Sequence, residues 1–234
     1  MQKKFLIDGV PDGCIWEYPD PSTFKPKWTE NIVSVHVSER IPIWLKIFAK
    51  KFSDNPINML EIGVFKGGWA SHISASKTNV ASFTGVDPYL GDDTDPYTGA
   101  YWSNKQGAQS IFENTSQLFG KLGYTLDRST SLDFVKRHEH KPAYDAIFID
   151  GDHRFEACLT DARICWPLLK PDGLMMFDDY ANSDHPGVTK AVTQFISEKE
   201  EEIESLLYFG CFFTNLNKAI PVLNGQVAIT KKAN

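Results

Sequence analysis

The chain is poor in the features that mark secreted, membrane or nucleic-acid-binding proteins. Its cysteines, Cys14, Cys158, Cys165 and Cys211, form no C-x-x-C pair and are too sparse for a disulfide framework. That predicts a reduced, cytoplasmic protein. The apolar stretch near the start, Phe5 to Ile7, is too short for a signal peptide, and nothing approaches the ~20 apolar residues of a membrane span. Basic residues are in deficit. Against 30 Asp and Glu stand 24 Lys and Arg, giving a net charge of -6 and a pI of about 5.5. Such a surface does not suit broad binding to a phosphate backbone, so neither nucleic acid nor membrane is an expected partner. A phosphate loop ending in Gly-Lys-Ser or Gly-Lys-Thr is absent, and so are internal repeats.

What is present is ordinary globular material, 42% hydrophobic over 234 residues, enough for one large domain or two small ones. Residues 1 to about 30 are rich in proline and aromatics ("EYPDPSTFKPKW") and read as an irregular arm. Ser34–Phe52 read as a helix. We divide the chain into this arm and helix (1–55), a lid or an oligomer contact, and a main domain (56–234). In the main domain, apolar runs alternate with helical spacing. "INMLEI", "ASFTGVD", "YTLD", "DAIFID" and "GLMMFDD" are expected strands. Helices are expected at about 67 onward, 107–121, 132–138, 155–169 and 188–203. "SLLYFGCFF" and "GQVAIT" have no clear helix between them and suggest an antiparallel hairpin at a sheet edge. Continuous apolar strands separated by helices imply an α/β fold, a mostly parallel sheet covered on both faces.

Ligands of such sheets sit beyond the carboxyl ends of the strands. Three stretches there carry chemistry. In "LEIGVFKGGWA", Gly63 follows a strand, and Gly67 and Gly68 open a helix whose free N–H groups can face a ligand. The pattern is E-x-G-x-x-x-G-G, not G-x-G-x-x-G. In "FTGVDPY", Asp87 ends the second strand, where an acidic residue can accept the hydroxyls of a ribose. In the third, Asp150, Asp152 and His153 follow one strand, and Asp178 and Asp179 follow the next. If these strands are neighbours, carboxylates and an imidazole meet at one rim. An oxygen-rich cluster suits a hard cation such as Mg²⁺.

Together these stretches resemble the class I S-adenosylmethionine-dependent methyltransferases. Within them the chain is similar to the metal-dependent O-methyltransferases of the macrocin and mycinamicin sugar type, from roughly Asn58 to Tyr180. "EIGVFKGG" resembles that family's cofactor loop, "GVDPY" its ribose turn, and "IDGDH" with the later "FDDY" its most specific signature. The resemblance implies a Rossmann-like, doubly wound, seven-stranded sheet with an antiparallel edge hairpin. It implies S-adenosyl-L-methionine as cofactor, with Gly63, Gly67 and Gly68 lining its methionine part, Glu61 beneath them and Asp87 on the ribose. Thr130 or Ser131 would contact adenine, although the family's Gly-Asp-Ser turn is Ser129, Thr130 and Ser131 here. Asp150, Asp178 and Asp179 match the ligands of Mg²⁺ or a similar divalent cation. Asp152 and His153 both stand where the family places a general base, which leaves two candidates. The acceptor would be a small-molecule hydroxyl, on a sugar or polyol.

Several residues stay outside this scheme. Tyr97, Tyr101 and Trp102, in the loop after the second strand, are placed to wall a ring. His185 reads as a helix-start residue rather than a ligand, and the charge run "SEKEEEIE" as a solvated helix face. Trp16, Phe24 and Trp28 in the arm would cover the protein's own site or pack on a second copy. Two other readings compete: a cofactor-binding protein of the same fold without transfer activity, and a haloacid-dehalogenase-type phosphatase using D-x-D at Asp150 and Asp152. Against the phosphatase, Arg154 stands where Thr or Val is needed.

Overall fold

The computed structural model describes residues 40–53, 55–76, 78–90, 105–138, 141–182, 185–213 and 222–233. In chain order these form α1 (Arg40–Phe52), β1 (Ile57–Ile62), α2 (Gly68–Ala75), β2 (Val80–Val86), α3 (Lys105–Leu122), β3 (Thr125–Asp127), α4 (Ser131–Arg137), β4 (Tyr144–Ile149), α5 (Phe155–Cys165), β5 (Leu169–Tyr180), α6 (Pro186–Lys199), β6 (Ile203–Phe213) and β7 (Val222–Lys231). The strands make one seven-stranded sheet in the order β3-β2-β1-β4-β5-β7-β6. The first five strands are parallel, and β7 runs antiparallel to both β5 and β6. This is the expected Rossmann-like arrangement with its antiparallel edge.

Alternation along each strand explains the two covered faces. On β1, β4 and β5, the residues Met59, Ala146, Phe148, Leu174 and Met176 pack with Trp44, Ile47 and Phe48 of α1, Trp69 and Ile73 of α2, and Phe119 of α3. Their neighbours Leu60, Ile62, Ile147, Ile149, Met175 and Phe177 point the other way, onto α4, α5 and α6. Each Leu, Ile, Met or Phe side chain among them contributes about 1.5–3 kcal/mol on burial. Helix α1 is thus part of the sheet's own core. Of the stretch 1–55 drawn as a lid or an oligomer contact, residues 1–39 lie outside the described residues, as do Tyr97, Tyr101 and Trp102. Among the described residues no helix is long and apolar enough to cross a membrane.

Two helices end earlier than their spacing predicts. The expected helix to Leu169 stops at Cys165, because Pro167 brings no N–H, and Trp166–Leu168 tighten into a 3₁₀ turn before β5. The expected helix to Ile203 stops at Lys199. Three successive acids, Glu200 to Glu202, are unfavourable at the negative end of a helix dipole, and Ile203 instead pairs with Lys231 in the sheet. Of the charge run, Glu198, Glu200, Glu201, Glu202 and Glu204 are exposed. Glu202 accepts from the buried Trp166 indole at 2.6 Å and from Lys199 at 2.7 Å.

Candidate active site at the carboxyl ends of the strands

The sheet order turns at β1 and β4, which lie side by side and carry helices to opposite faces. Their ends touch. Gly63 holds φ +87°, and a Cβ there would lie 2.0 Å from the Asp150 carbonyl oxygen. The contact is continued by Asp150 N–H donating to the Ile62 carbonyl at 2.8 Å and Gly63 N–H to Val86 at 2.9 Å. Gly67 also has positive φ and begins α2, with Leu118 and Phe119 against it. Around the Cβ position of Gly68 no atom lies within 4 Å, so this glycine borders open space.

Glu61 lies beneath the loop, 2% exposed, and its Oε2 is buried with no hydrogen-bond donor among the described residues. Burial pushes its carboxyl well above the usual range, and Asp150 and then Asp87 push the same way. Asp87 is fixed differently. Its Oδ2 accepts from the Val64 and Phe65 amides at 3.0 and 2.9 Å, and its Oδ1 from the Tyr89 amide at 2.8 Å. Burial raises the Asp87 carboxyl, and these N–H bonds partly offset that. Three of about four acceptor positions are therefore engaged by the chain itself. Asp87 clamps the glycine loop to the end of β2, a role its sequence position did not reveal. The Phe65 carbonyl in that loop accepts from Thr115 at 3.0 Å and Tyr89 at 3.1 Å.

Strands β4 and β5 are neighbours, Ile149 pairing with Phe177, so the third constellation does gather at one rim. His153 Nε2 lies 3.0 Å from Asp179 Oδ2 and 3.9 Å from Asp150 Oδ1. The His185 ring stacks on the His153 ring at 3.9 Å between centroids. The donor atoms of His153, Asp179 and His185 all lie within 4.8 Å of one another. His185 precedes α6, as its sequence position suggests, yet it also belongs to this cluster. A register shift in β5 and a φ of +56° at Asp179 aim that carboxylate at the imidazoles. Asn182 donates to its Oδ1 at 2.9 Å. Burial would raise Asp179, but the His153 hydrogen bond and charge, the His185 charge and Asn182 outweigh it and hold the carboxyl at about 2.

The other acids of the rim have partners of their own. Asp178 is buried, and its Oδ1 accepts from Gln226 of β7 at 2.8 Å and from the Asp179 amide at 2.9 Å. Asp152 folds back on Arg154, accepting from its amide at 2.9 Å and from its guanidinium. On the β3 side, Thr130 caps α4, accepting from the Asp133 amide at 3.1 Å. Ser131 donates its hydroxyl to Asp161 of α5, a buried carboxylate that burial pushes up to about 6. Ser129 and Thr130, with Pro88, Leu90, Arg128, Asp133, Lys136 and Arg137, line an open depression of about 700 Å³ beyond β2 and β3.

Four participants escaped the sequence reading: Asp161, His185 as a cluster member, Gln226 and Gly187. Asp161 had a signal, since it shares the apolar stripe of Cys158, Ala162 and Cys165 in three- and four-residue steps. Gly187 had none. A Cβ on it would lie 2.5 Å from the His153 carbonyl oxygen, so the first turn of α6 sits directly on the His153 backbone.

The profile of the family described as a methyltransferase domain matches residues 60–180, from the end of β1 through β5. An uncharacterized protein of Acanthamoeba polyphaga mimivirus is 22% identical over 191 residues, 75% of this chain and 77% of that protein. Among solved structures, the O-methyltransferase TomG of Streptomyces achromogenes, involved in tomaymycin synthesis and determined with SAM, aligns over 84% of this chain and 82% of its own. The TM-score is 0.57 at 11% identity. An O-methyltransferase from Bacillus cereus in complex with SAH gives 0.54 at 12% identity, over 85% and 84%. An rRNA methylase from Streptococcus thermophilus gives 0.53 at 11%, over 85% and 99%. At such identities the likeness shows a shared fold and leaves the acceptor open.

Proposed function

The chain belongs to the methyltransferase-domain family that residues 60–180 match, and from that premise we propose that it moves a methyl group from S-adenosylmethionine to a hydroxyl of a small molecule, a sugar or polyol. The observation that carries the reading is the junction of the glycine loop with the His153–Asp179 rim. Gly63 meets Asp150 backbone to backbone, so a cofactor held by the loop lies beside the acid–base groups.

The residues fit the cofactor. Glu61 Oε2 is a buried acceptor lacking a donor, which a cationic or N–H-bearing ligand would satisfy, and Gly68 leaves room for close approach. Asp87 keeps one acceptor position for a ribose hydroxyl, while two others hold the glycine loop and one the Tyr89 amide. Thr130 would face the adenine side from the depression, and Ser131, bonded to Asp161, would act through its backbone. The rim fits a divalent cation, because the Asp179 carboxylate and the His185 imidazole present donor atoms within 4.8 Å of each other, on the same rim as Asp150. Asp150 and Asp179 would hold it directly, and Gln226 would orient Asp178 toward the same end.

When bound, the sulfonium supplies an electrophilic methyl and the cation lowers the acceptor hydroxyl's pKa. The protein's own part is positioning and proton transfer. Of the two candidate bases we favour His153, with Nδ1 as the atom that would take the proton. Asp179 holds its Nε2 edge at 3.0 Å, whereas Asp152 is engaged by Arg154. His153 accepts the hydroxyl proton, and Asp179 stabilises the imidazolium that results.

Calorimetry with S-adenosylhomocysteine tests the cofactor half. A saturable heat at one site per chain is expected, and no heat at high micromolar ligand ends the reading. Transfer of labelled methyl to a panel of sugars, polyols and catechols, with and without EDTA, tests the rest. Turnover unaffected by complete chelation removes the cation.

A further inference from the structure

Strands β3 and β4 both end in turns that face the site, yet the sheet does not join them. Two strands, β2 and β1, separate them, a gap of roughly 14 Å at the usual strand spacing. The connection is made in the helix layer by Asp161. This residue sits on the buried stripe of α5, between Cys158 and Cys165, and is 7% exposed. Its Oδ1 accepts the hydroxyl of Ser131, the first residue of α4, directly after the Ser129–Thr130 turn. Its Oδ2 lies 3.3 Å from where a Cβ on Gly151 would stand. One carboxylate therefore bonds to the turn that lines the depression and stands beside the Asp150–Gly151–Asp152 turn that carries the rim.

We propose that Asp161 is a positioning residue that ties the adenine-side turn to the catalytic turn, setting the span across which one elongated cofactor must fit. The proposal rests on the methyltransferase reading for the identity of that cofactor. Its geometry does not. The Asp161 Oδ1 holds the start of α4 and its Oδ2 faces the Gly151 turn, so one side chain of this shape spans both. The ionisable groups facing it are Asp152 across the turn and the Cys158 and Cys165 thiols on its own helix. Both thiols are pushed up by burial, Cys158 to about 12, so they remain protonated neighbours.

The test compares Asp161→Ala, Asp161→Asn, Ser131→Ala and the double alanine variant in the full chain. Two readouts are taken: affinity for S-adenosylhomocysteine, and hydrogen exchange of the amides of 129–131 and 150–152. Asp161→Ala and Ser131→Ala should each weaken the ligand about tenfold, the scale of one lost hydrogen bond. Both should speed exchange in both turns, and the double variant should be no worse than either single one. Asp161→Asn keeps an acceptor for Ser131 and should stay within about twofold of the wild type. A folded Asp161→Ala that binds as the wild type does, or single effects that add, overturns the proposal. Should Asp161→Ala not fold, Ser131→Ala decides: unchanged affinity and unchanged exchange overturn it. If the wild type itself binds no S-adenosylhomocysteine, the methyltransferase reading falls. The exchange data still decide the tether.

Discussion

Gly63 and Asp150 approach so closely that a side chain on the glycine would collide with the aspartate's backbone, at 2.0 Å from its carbonyl oxygen and 2.6 Å from the Gly151 Cα. The glycine loop and the turn after β4 are thus one packed unit, built where β1 and β4 pair. Gly63→Ala adds a Cβ into backbone and forces an alanine to φ +87°. The variant should lose about 3 kcal/mol or more of stability, measured by denaturant unfolding. Wild-type stability in this variant would mean the two strand ends do not meet as described.

Asp87 is expected to be as much a structural clamp as a ligand contact. Asp87→Ala leaves the amides of Val64, Phe65 and Tyr89 without their acceptor. Stability should fall by roughly 2–4 kcal/mol, since each buried orphan costs on the order of 1–3 kcal/mol and water will reach some of them. Affinity for S-adenosylhomocysteine should fall in parallel. A variant that loses affinity with an unchanged unfolding midpoint would show that Asp87 serves the ribose alone.

Asp161 makes stability depend on pH with a definite sign. Burial raises its carboxyl from 3.8 to about 6, with the Ser131 bond opposing and Asp152 assisting. A group raised in the folded state binds its proton more tightly there. Its contribution is fully present below 3.8 and is lost as pH rises through about 6. Two pK units correspond to about 3 kcal/mol. Asp161→Asn does not titrate, so its stability relative to the wild type should rise by about that amount between pH 4 and pH 7 and be level above. Paired denaturation curves across this range measure it. A constant difference would place the Asp161 carboxyl at its ordinary pKa.

What the sequence disclosed followed from periodicity and strand ends. The parallel strands were legible because Ile57–Ile62, Tyr144–Ile149 and the apolar part of β5 are buried on both faces and therefore read as unbroken apolar runs. The meeting of Asp150, His153 and Asp179 followed from their places after strands that proved adjacent. Side-chain direction was not legible. Asp152 and His153 are consecutive, yet Arg154 takes the first and Asp179 the second. Asp87 bonds to amides 22 and 23 residues away, and Ser131 to a carboxylate 30 residues on. Such pairings depend on which helix lies over which strand end. His185 looked like a helix start and is one. Its second role depends on Gly187 letting α6 settle against His153.

Asp152 and His153 can be separated by their partners. Both were candidates to take the acceptor's proton, but a base must present an unprotonated atom to the substrate. The Asp152 carboxylate is engaged by the Arg154 amide and guanidinium. His153 instead rests against the Asp179 carboxylate, its Nε2 at 3.0 Å. His153→Gln should therefore lower kcat by about 10²–10⁴-fold, the usual value of a positioned base. It should leave S-adenosylhomocysteine affinity nearly unchanged and flatten the acid side of the pH–rate profile. Asp152→Asn, which keeps the turn but removes the charge, should lower kcat by less than about tenfold, below the usual range for a base. Asp179→Asn should resemble His153→Gln, because without the carboxylate the imidazolium loses its counter-charge. The reverse ranking, with Asp152→Asn the more damaging, would assign the base to Asp152 and leave His153 to the cation seat it shares with Asp179 and His185.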